Sequence, residues 1–416
     1  MATHATARRP DPTLSLYHLL DPEVLADPYP LYHRLRREAP VHWDPYLHAW
    51  VVTRYTDVLN VFQHFSAART PTPEQLRDMD MGELGPISRV MVRQMLFMDP
   101  PDHTRVRTLA ARAFTPRRVE VLRGHIQDIT NRLLDDIERR GRAGGRRRMD
   151  VIADLGAPLP AIVTTEMLGV PSDDWEKLKA WSTDFAEMLG NFQHNPGRIT
   201  RVLQSVEEMT AYFREAVRQQ AETPTEGLVN ALAHAEVDGD RFSEDEVVAN
   251  LIVTMVGGLE TTTNLIGNGL LSLLRNPLEL ERLRSDPALI PSAVEELLRY
   301  ESPSQHTARL APDDVEIGGR LIRKRQAVIA VMGAANRDPS RFPEPDRLDL
   351  GRQDNRHVAF GWAGHFCFGA PLARIEGQIA FGALLRRLPD LRLEPEPLVW
   401  RENLGLRGLK ALPVSF

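Results

Sequence analysis

With 416 residues, of which 42% are hydrophobic and 26% charged, the chain has the means to bury a large core and is not disordered in composition. A formal net charge of −6 gives no footing for nucleic-acid binding, and a single cysteine excludes both an internal disulfide and a multi-thiolate zinc site. Length alone suggests two or three domains, and the cysteine count suggests a reducing compartment, so a cytoplasmic location is expected. The opening MATHATARRPDP has no apolar core, and no run approaches ~18 apolar residues, so neither a signal peptide nor a membrane span is expected. Residues 1–15 read as a flexible tail.

In chain order, Leu25, Tyr29, Tyr32 and Leu35 recur at helical spacing, and HAWVVTRYTDVLNVF alternates and then turns periodic, predicting a strand followed by a helix. Residues 66–98 carry Pro, Gly and five Met residues with weak periodicity. They read as a long loop, of the kind that is usually functional in a compact domain. Its methionines, Met91 and Met95 among them, suit either an adaptable pocket lining or filler beneath a loop. His103 and Arg107 stand four apart and share a helix face, which alone is an ordinary basic surface. The run RRGRAGGRRR, Arg139–Arg148, is broken by glycines and reads as a solvated turn. Two amphipathic helices follow, near 175–190 and 202–220, joined by NFQHNPGR. Phe185, Met188, Leu189 and Phe192 fall on or between them.

The segment 242–274 predicts one long helix, opened by a capping box of Ser243 and Glu246. Its interior holds VGGLETTTN. Gly257 and Gly258 each cost about 1 kcal/mol relative to alanine in a helix interior, so a kink or a close approach to a ligand is expected there. Further on, Glu296 and Arg299 share a helix face three residues apart, ordinarily a weak surface pair. SPSQHTARLA carries Gln305, His306 and Arg309, and ANRDPSRFPEPDRLD contains Arg347.

The lone Cys367 lies in FGWAGHFCFGAPLAR, just before a helical segment marked by Pro371. A helix N-terminus favours thiolate over thiol. Taken alone, a single Cys is most often an inert small hydrophobe. A nucleophile would need a base, and His365 stands too near in sequence to be a good one. What remains is one axial thiolate to a metal whose other ligands come from a cofactor, as in Cys-ligated haem.

The loop resembles the cysteine signature of the cytochrome P-450 monooxygenases, F-x-x-G-x-x-x-C-x-G, in its bacterial soluble form. Ala363 stands where that pattern has glycine, and glycine appears one residue later as Gly364. GGLETT is similar to the family's acid–alcohol motif, EELLR to its E-x-x-R, and NLGLRGLKALPV to its last hairpin, whose turn at 403–406 enters the pocket.

The resemblance runs from about residue 20 to the C-terminus and implies one domain over 16–416. It implies a mainly α fold with small β-sheets (α+β): a helical body, a smaller β-rich part, and haem b between two central helices. It makes Cys367 the metal ligand. Phe360, Gly369, Gly257 and Gly258 line the cofactor, and His103, Arg107, Arg309 and His365 become donors to its propionates, for which charge-assisted hydrogen bonds to carboxylate are the physical need. Glu260 and Thr261 become the catalytic proton relay. Glu296, Arg299 and Arg347 become a buried triad. Arg105 and Arg112 fall near the face where an acidic electron donor docks.

The implied reaction inserts one atom of O2 into a hydrophobic or amphipathic organic molecule: a secondary metabolite, terpenoid, fatty acid or drug-like compound. Electrons come from NAD(P)H through a ferredoxin and its reductase, and the enzyme is expected to be a monomer. Substrate contacts are expected from Met91, Met95, Phe185, Met188, Leu189, Val253, Gln305, His306, Leu404 and Leu406. Epoxidation, desaturation or phenol coupling on the same machinery is the near rival. A non-catalytic haem-binding helper protein is the distant one.

Overall fold

Amphipathic helices with well-spaced apolar residues set the body of the molecule in the computed structural model, which describes residues 11–143, 147–189 and 196–416. The longer helices are α1 (Tyr29–Glu38), α2 (Tyr55–His64), α3 (Asp102–Ala113), α4 (Pro116–Ala143) and α5 (Pro158–Leu168). They continue with α6 (Trp175–Met188), α7 (Pro196–Glu222), α8 (Glu244–Arg275), α9 (Ile290–Tyr300) and α10 (Ala370–Arg387). Strands are few and short: β1 (Val41–Asp44), β2 (Ala49–Val52), β3 (Arg148–Asp150), β4 (His306–Leu310), β5 (Ala327–Val331), β6 (Arg392–Leu393) and β7 (Pro413–Ser415) among them. The fold is mainly α with small sheets.

The larger sheet runs β1-β2-β5-β4, antiparallel except for the parallel β2–β5 pair, in which Trp50 stands opposite Val328. On the other side of Val328 stands Arg309 of β4, so the sheet fixes where that arginine emerges. A second sheet, β6-β7-β3, ties the chain's end to the strand after α4.

α8 is the axis of the body. Ser243 caps it by accepting from the Glu246 N–H, with Glu246 reaching back, as the capping box predicts. From Val247 to Leu259 its apolar side chains join a core shared with α3, α6 and α7. From Leu265 onward they join another, shared with α4, α9 and α10. The changeover falls at Glu260–Asn264, a polar run in an otherwise apolar helix. That run is where two cores meet, and it is where the site lies.

Three local expectations change. Residues 66–98 are not one loop: Thr72 and Gln75 form a capping box that starts a helix at Pro73–Asp78, and Gly85–Met91 adds another. The stripe from Leu25 to Leu35 is interrupted after Ala26, with Pro28 at the start of α1. The N-terminal tail ends early, because Leu14 and Ser15 are buried and the Ser15 hydroxyl donates to Asp44 at 2.8 Å. Residues 144–146 of the basic run, and 190–195 with Phe192, lie outside the described residues. No helix among the described residues is long and apolar enough to cross a membrane.

Candidate active site

The cysteine loop is shaped by backbone conformations that favour glycine. Gly361 has φ +72° and Ala363 φ +56°, while Gly364 has no such conformation. The family's glycine is therefore replaced at a left-handed position, where a Cβ costs about 1–2 kcal/mol. The short helical turn Ala363–His365 then delivers Cys367, whose N–H donates to the Phe360 carbonyl at 2.8 Å. Arg374 covers the Phe360 ring at 4.6 Å and makes two hydrogen bonds to Glu295, at 2.7 and 2.9 Å. His357 adds a third at 3.2 Å. The loop is thereby held to α9 and α10.

Cys367 itself is exposed, yet burial pushes its thiol above the ordinary value. An accessible sulfur that is nonetheless desolvated lines an interior surface. The N–H groups of Gly369 and Ala370 and the guanidinium groups of Arg107 and Arg374 oppose the rise without cancelling it. The expected bias toward thiolate at a helix N-terminus is thus outweighed by desolvation. Coordination to a metal is what deprotonates a thiol in such a setting. Among the described residues no cluster of three or more His, Cys, Asp and Glu is placed to hold a metal.

Beside the loop, two imidazoles and the guanidinium groups of Arg107 and Arg309 converge. His103 and His365 stack with ring centroids 4.0 Å apart. Burial lowers the pKa of both, that of His365 to about 3, with neighbouring positive charge adding to the effect. Arg309 is 3% exposed, and burial draws its pKa down to about 10. The buried Nε2 of His103 and Nε of Arg309 have no hydrogen-bond partner. Arg107 donates to the Phe366 carbonyl at 2.6 Å, gripping the loop directly. The acid among them is Asp99, and its carboxylate already accepts from Ser66 and the Ala67 N–H. Buried donors with no partner in a cationic cluster call for added negative charge. Arg105, in contrast, is taken up by Glu246 and Asp240, so Arg112 is the exposed cation left from the predicted docking pair.

On α8, the two glycines have different reasons. A Cβ at Gly258 would stand 2.9 Å from Thr164 Oγ1 of α5, so close helix packing demands it. A Cβ at Gly257 would meet nothing within 4 Å, and Gly257 is exposed in the middle of the helix. The helix runs through both without a break. Thr261 donates to the Gly257 carbonyl at 2.8 Å, the ordinary resting bond of a helical threonine.

Glu260 is 2% exposed; it accepts from Thr183 Oγ1 of α6 at 2.8 Å and forms an ion pair with Arg401. A cleft of about 280 Å³, lined in part by Glu187, Arg198, Arg401 and Lys410, reaches it. The approach to Glu260 is through this charged cleft rather than across a wet helix face. Arg401 had no motif to announce it: it lies 141 positions away on the C-terminal hairpin.

The triad needs one correction. Glu296 and Arg299 are both 0% exposed and share two 2.8 Å hydrogen bonds. The second arginine on Glu296 is Arg352, with Nε at 3.1 Å, and not Arg347. Arg347 pairs with Glu344 and its side chain is 61% exposed; only its backbone carbonyl accepts from Arg299 and Arg352. Arg347 thus turns outward, five residues before the arginine that turns in.

The substrate candidates divide. Met91, Met188, Leu189 and Leu406 are partly buried at the edge of the α3–α6–α7–α8 core, and Val253 is partly exposed on α8. Phe185 is 0% exposed and Met95 is buried, so both act as core packing. Gln305 donates to the Ser302 carbonyl at 2.7 Å and His306 bonds the Leu404 backbone, with burial lowering its pKa to about 4. Leu404 is buried in the sheet-side core. These three hold the hairpin turn, where Gln305 N–H donates to the Gly405 carbonyl at 2.8 Å.

An accessible thiol, an exposed mid-helix glycine, partnerless buried donors and surplus positive charge together fit a flat, dianionic macrocycle whose metal takes one sulfur ligand. Comparison with known proteins agrees. A family model, Cytochrome P450, matches residues 33–399. The chain is 39% identical to cytochrome P450 CYP107DY1 of Priestia megaterium, covering 95% of this chain and 97% of that one. It is 37% identical to the polyketide biosynthesis cytochrome P450 PksS of Bacillus subtilis, covering 96% and 98%. Among solved structures, P450BioI in complex with an acyl carrier protein ligated to hexadec-9Z-enoic acid superposes with a TM-score of 0.86. That pair shares 37% identity, covering 95% of this chain and 99% of that one.

Proposed function

The chain belongs to the cytochrome P450 family, as a haem-thiolate monooxygenase, and we propose that it hydroxylates a long, hydrophobic or amphipathic chain such as a fatty-acyl or polyketide compound. Haem b supplies activation of O2 with electrons derived from NAD(P)H; the rest is the work of this chain's residues. Cys367 would supply its sulfur ligand. His103, Arg309 and His365 would hold the propionates, and Arg107 secures the loop that carries the ligand. Phe360, Gly369, Gly257 and Gly258 would line the seat, and the open space around Gly257 leaves room for it.

Glu260 and Thr261 form the proton relay. Glu260 takes protons from the charged cleft, and Thr261 passes them inward by rotating its hydroxyl off the Gly257 carbonyl. A hydroxyl is suited to this, since it donates and accepts at once. Arg401 is a positioning residue that holds the Glu260 side chain toward the cleft both residues line.

The observation that carries the substrate class is the apolar edge formed by Met91, Met188, Leu189, Val253 and Leu406, which offers little hydrogen bonding. Long thioether and Leu side chains adapt to flexible chains. The PksS name and the hexadecenoyl group in the P450BioI complex support the same class. We further propose that the enzyme works as a monomer with an acidic ferredoxin, docking on the face that exposes Arg112 and Trp362. A panel of acyl chains and macrolide-like compounds, screened for the spin-state shift that follows displacement of axial water, tests the substrate class. Shifts from acyl or polyketide compounds, followed by hydroxylated product with NADH, ferredoxin and reductase, are expected. Shifts confined to small polar compounds would overturn it.

A further inference from the structure

One cationic side chain near the propionate donors has no role in any motif. Arg69 lies just after Ser66, and Ser66 exchanges two backbone hydrogen bonds with Leu310, each 2.9 Å, beside Arg309. Asp99 binds this same segment, accepting from the Ala67 N–H at 2.7 Å, and its carbonyl accepts from the His103 N–H at 2.9 Å. The Arg69 segment is thus stitched on one side to the strand of Arg309 and on the other to the helix of His103 and Arg107. The guanidinium lies over the Phe97 ring at 4.5 Å and donates once to the Ala67 carbonyl at 3.3 Å. It is partly exposed, yet burial and the like charge of Arg309 lower its pKa to about 9. Among the described residues it makes no ion pair, and Asp99, the acid in the cluster, is already committed to Ser66 and Ala67.

A desolvated guanidinium still charged at neutral pH, without a counter-ion, is costly unless an anion arrives. Three donors already address the two propionates of the proposed haem seat, on which the inference rests. We propose that Arg69 is a further carboxylate anchor, forming a charge-assisted pair with an anionic group of a molecule bound beside Arg309. Two sources offer that chemistry: a haem propionate, or the carboxylate of an acidic substrate. Arginine's planar fork suits either.

The test compares holoproteins carrying Arg69→Lys, Arg69→Gln and Arg69→Ala with the unaltered protein, after checking helical content and melting. One arm measures haem transfer to apomyoglobin and the substrate-free reduction potential. The other titrates tetradecanoic acid and 1-tetradecanol by spin-state shift. If Arg69 binds a propionate, Gln and Ala speed haem loss about tenfold and lower the potential, with Lys between. If it binds a substrate carboxylate, haem transfer is unchanged and the acid alone weakens about tenfold. Unchanged haem transfer and potential, together with no response to the acid or equal weakening of acid and alcohol, overturns the proposal. Unaltered protein that fails to show the red-shifted carbon-monoxide band of thiolate-ligated haem would instead defeat the haem seat itself.

Discussion

Two buried carboxylates, Glu296 and Glu260, are provided for in opposite ways. Glu296 is 0% exposed and saturated: Arg299, Arg352, Asn355 and the Asp349 N–H all donate to it. Its partners lie within 59 positions along the chain. Glu260 is nearly as buried, but its partners Thr183 and Arg401 lie 77 and 141 positions away, and a cleft of about 280 Å³ runs up to it. The first carboxylate is a joint that holds α9 to the loop before the cysteine. The second, the acid of the proposed relay, depends for its position on three separate elements meeting. A charge that only supports can be sealed, whereas one that must exchange protons has to stay reachable.

The largest effect that tests this contrast is on the joint. Glu296→Ala strands Arg299 and Arg352 as buried cations, at a cost of ~3–5 kcal/mol, so the protein is expected to express with little haem. Arg352→Leu should share that loss, while Arg347→Leu should stay within about 0.5 kcal/mol of the unaltered protein, as an exposed pair does. Haem content by absorbance and a denaturant midpoint decide it. Full haem in Glu296→Ala would dissolve the joint.

On the reachable acid the fold should survive and the chemistry should not. Thr261→Ala and Glu260→Gln are expected to retain haem and melt normally, yet lose product formation by on the order of 10²-fold as electrons drain into hydrogen peroxide. Arg401→Gln should fall between these and the unaltered protein, and it should raise the solvent isotope effect on turnover. A purely structural Arg401 would change stability and leave the isotope effect alone. Unchanged coupling in Thr261→Ala with the true substrate would remove the relay.

The same contrast explains what was legible in the sequence. Glu296–Arg299, Ser243–Glu246 and the cysteine loop were readable because both members of each feature lie within one helical turn or one loop, where spacing dictates geometry. Arg401 and Arg352 were not, because each meets its carboxylate only after the chain has folded. Arg347 misled for a related reason: a motif fixes residue type, but only the folded chain decides which arginine turns inward. Phe185 and Met95 look the same as pocket residues in sequence, since an apolar helix face packs a core or a ligand equally well. Cys367 was legible as a ligand and illegible as a titrating group. Its helix N-terminus was visible, and its desolvation was not.

A smaller effect should appear where the joint meets the cysteine loop. Burial alone would raise the carboxyl of Glu295, but the hydrogen bonds from His357 and Arg374 more than reverse this, to about 2. A carboxyl depressed on folding contributes stability that is fully present above its unfolded value near 4.5 and is lost as pH falls toward 2. Glu295→Gln should therefore flatten the stability profile between about pH 5 and 2, by ~1–2 kcal/mol after allowing for partial exposure. Equal slopes from denaturant melts of the two proteins across that window would show that the Arg374 clamp does not carry it.

The smallest effect concerns the one residue in the loop that breaks the family pattern. Ala363 holds φ +56°, a conformation that costs an L-residue about 1–2 kcal/mol and glycine nothing. Glycine gives back part of that gain through a more flexible unfolded chain, by about 0.4–1 kcal/mol. Ala363→Gly should thus stabilise the holoprotein by ~0.5–1 kcal/mol, visible as a small rise in the denaturant midpoint. Its iron potential should not move, because the Cys367 N–H is bonded to Phe360 and Ala363 is exposed. If the potential shifts and stability does not, the methyl group acts on the sulfur's surroundings and not on the backbone, and alanine at this position is a tuning device and not a tolerated strain.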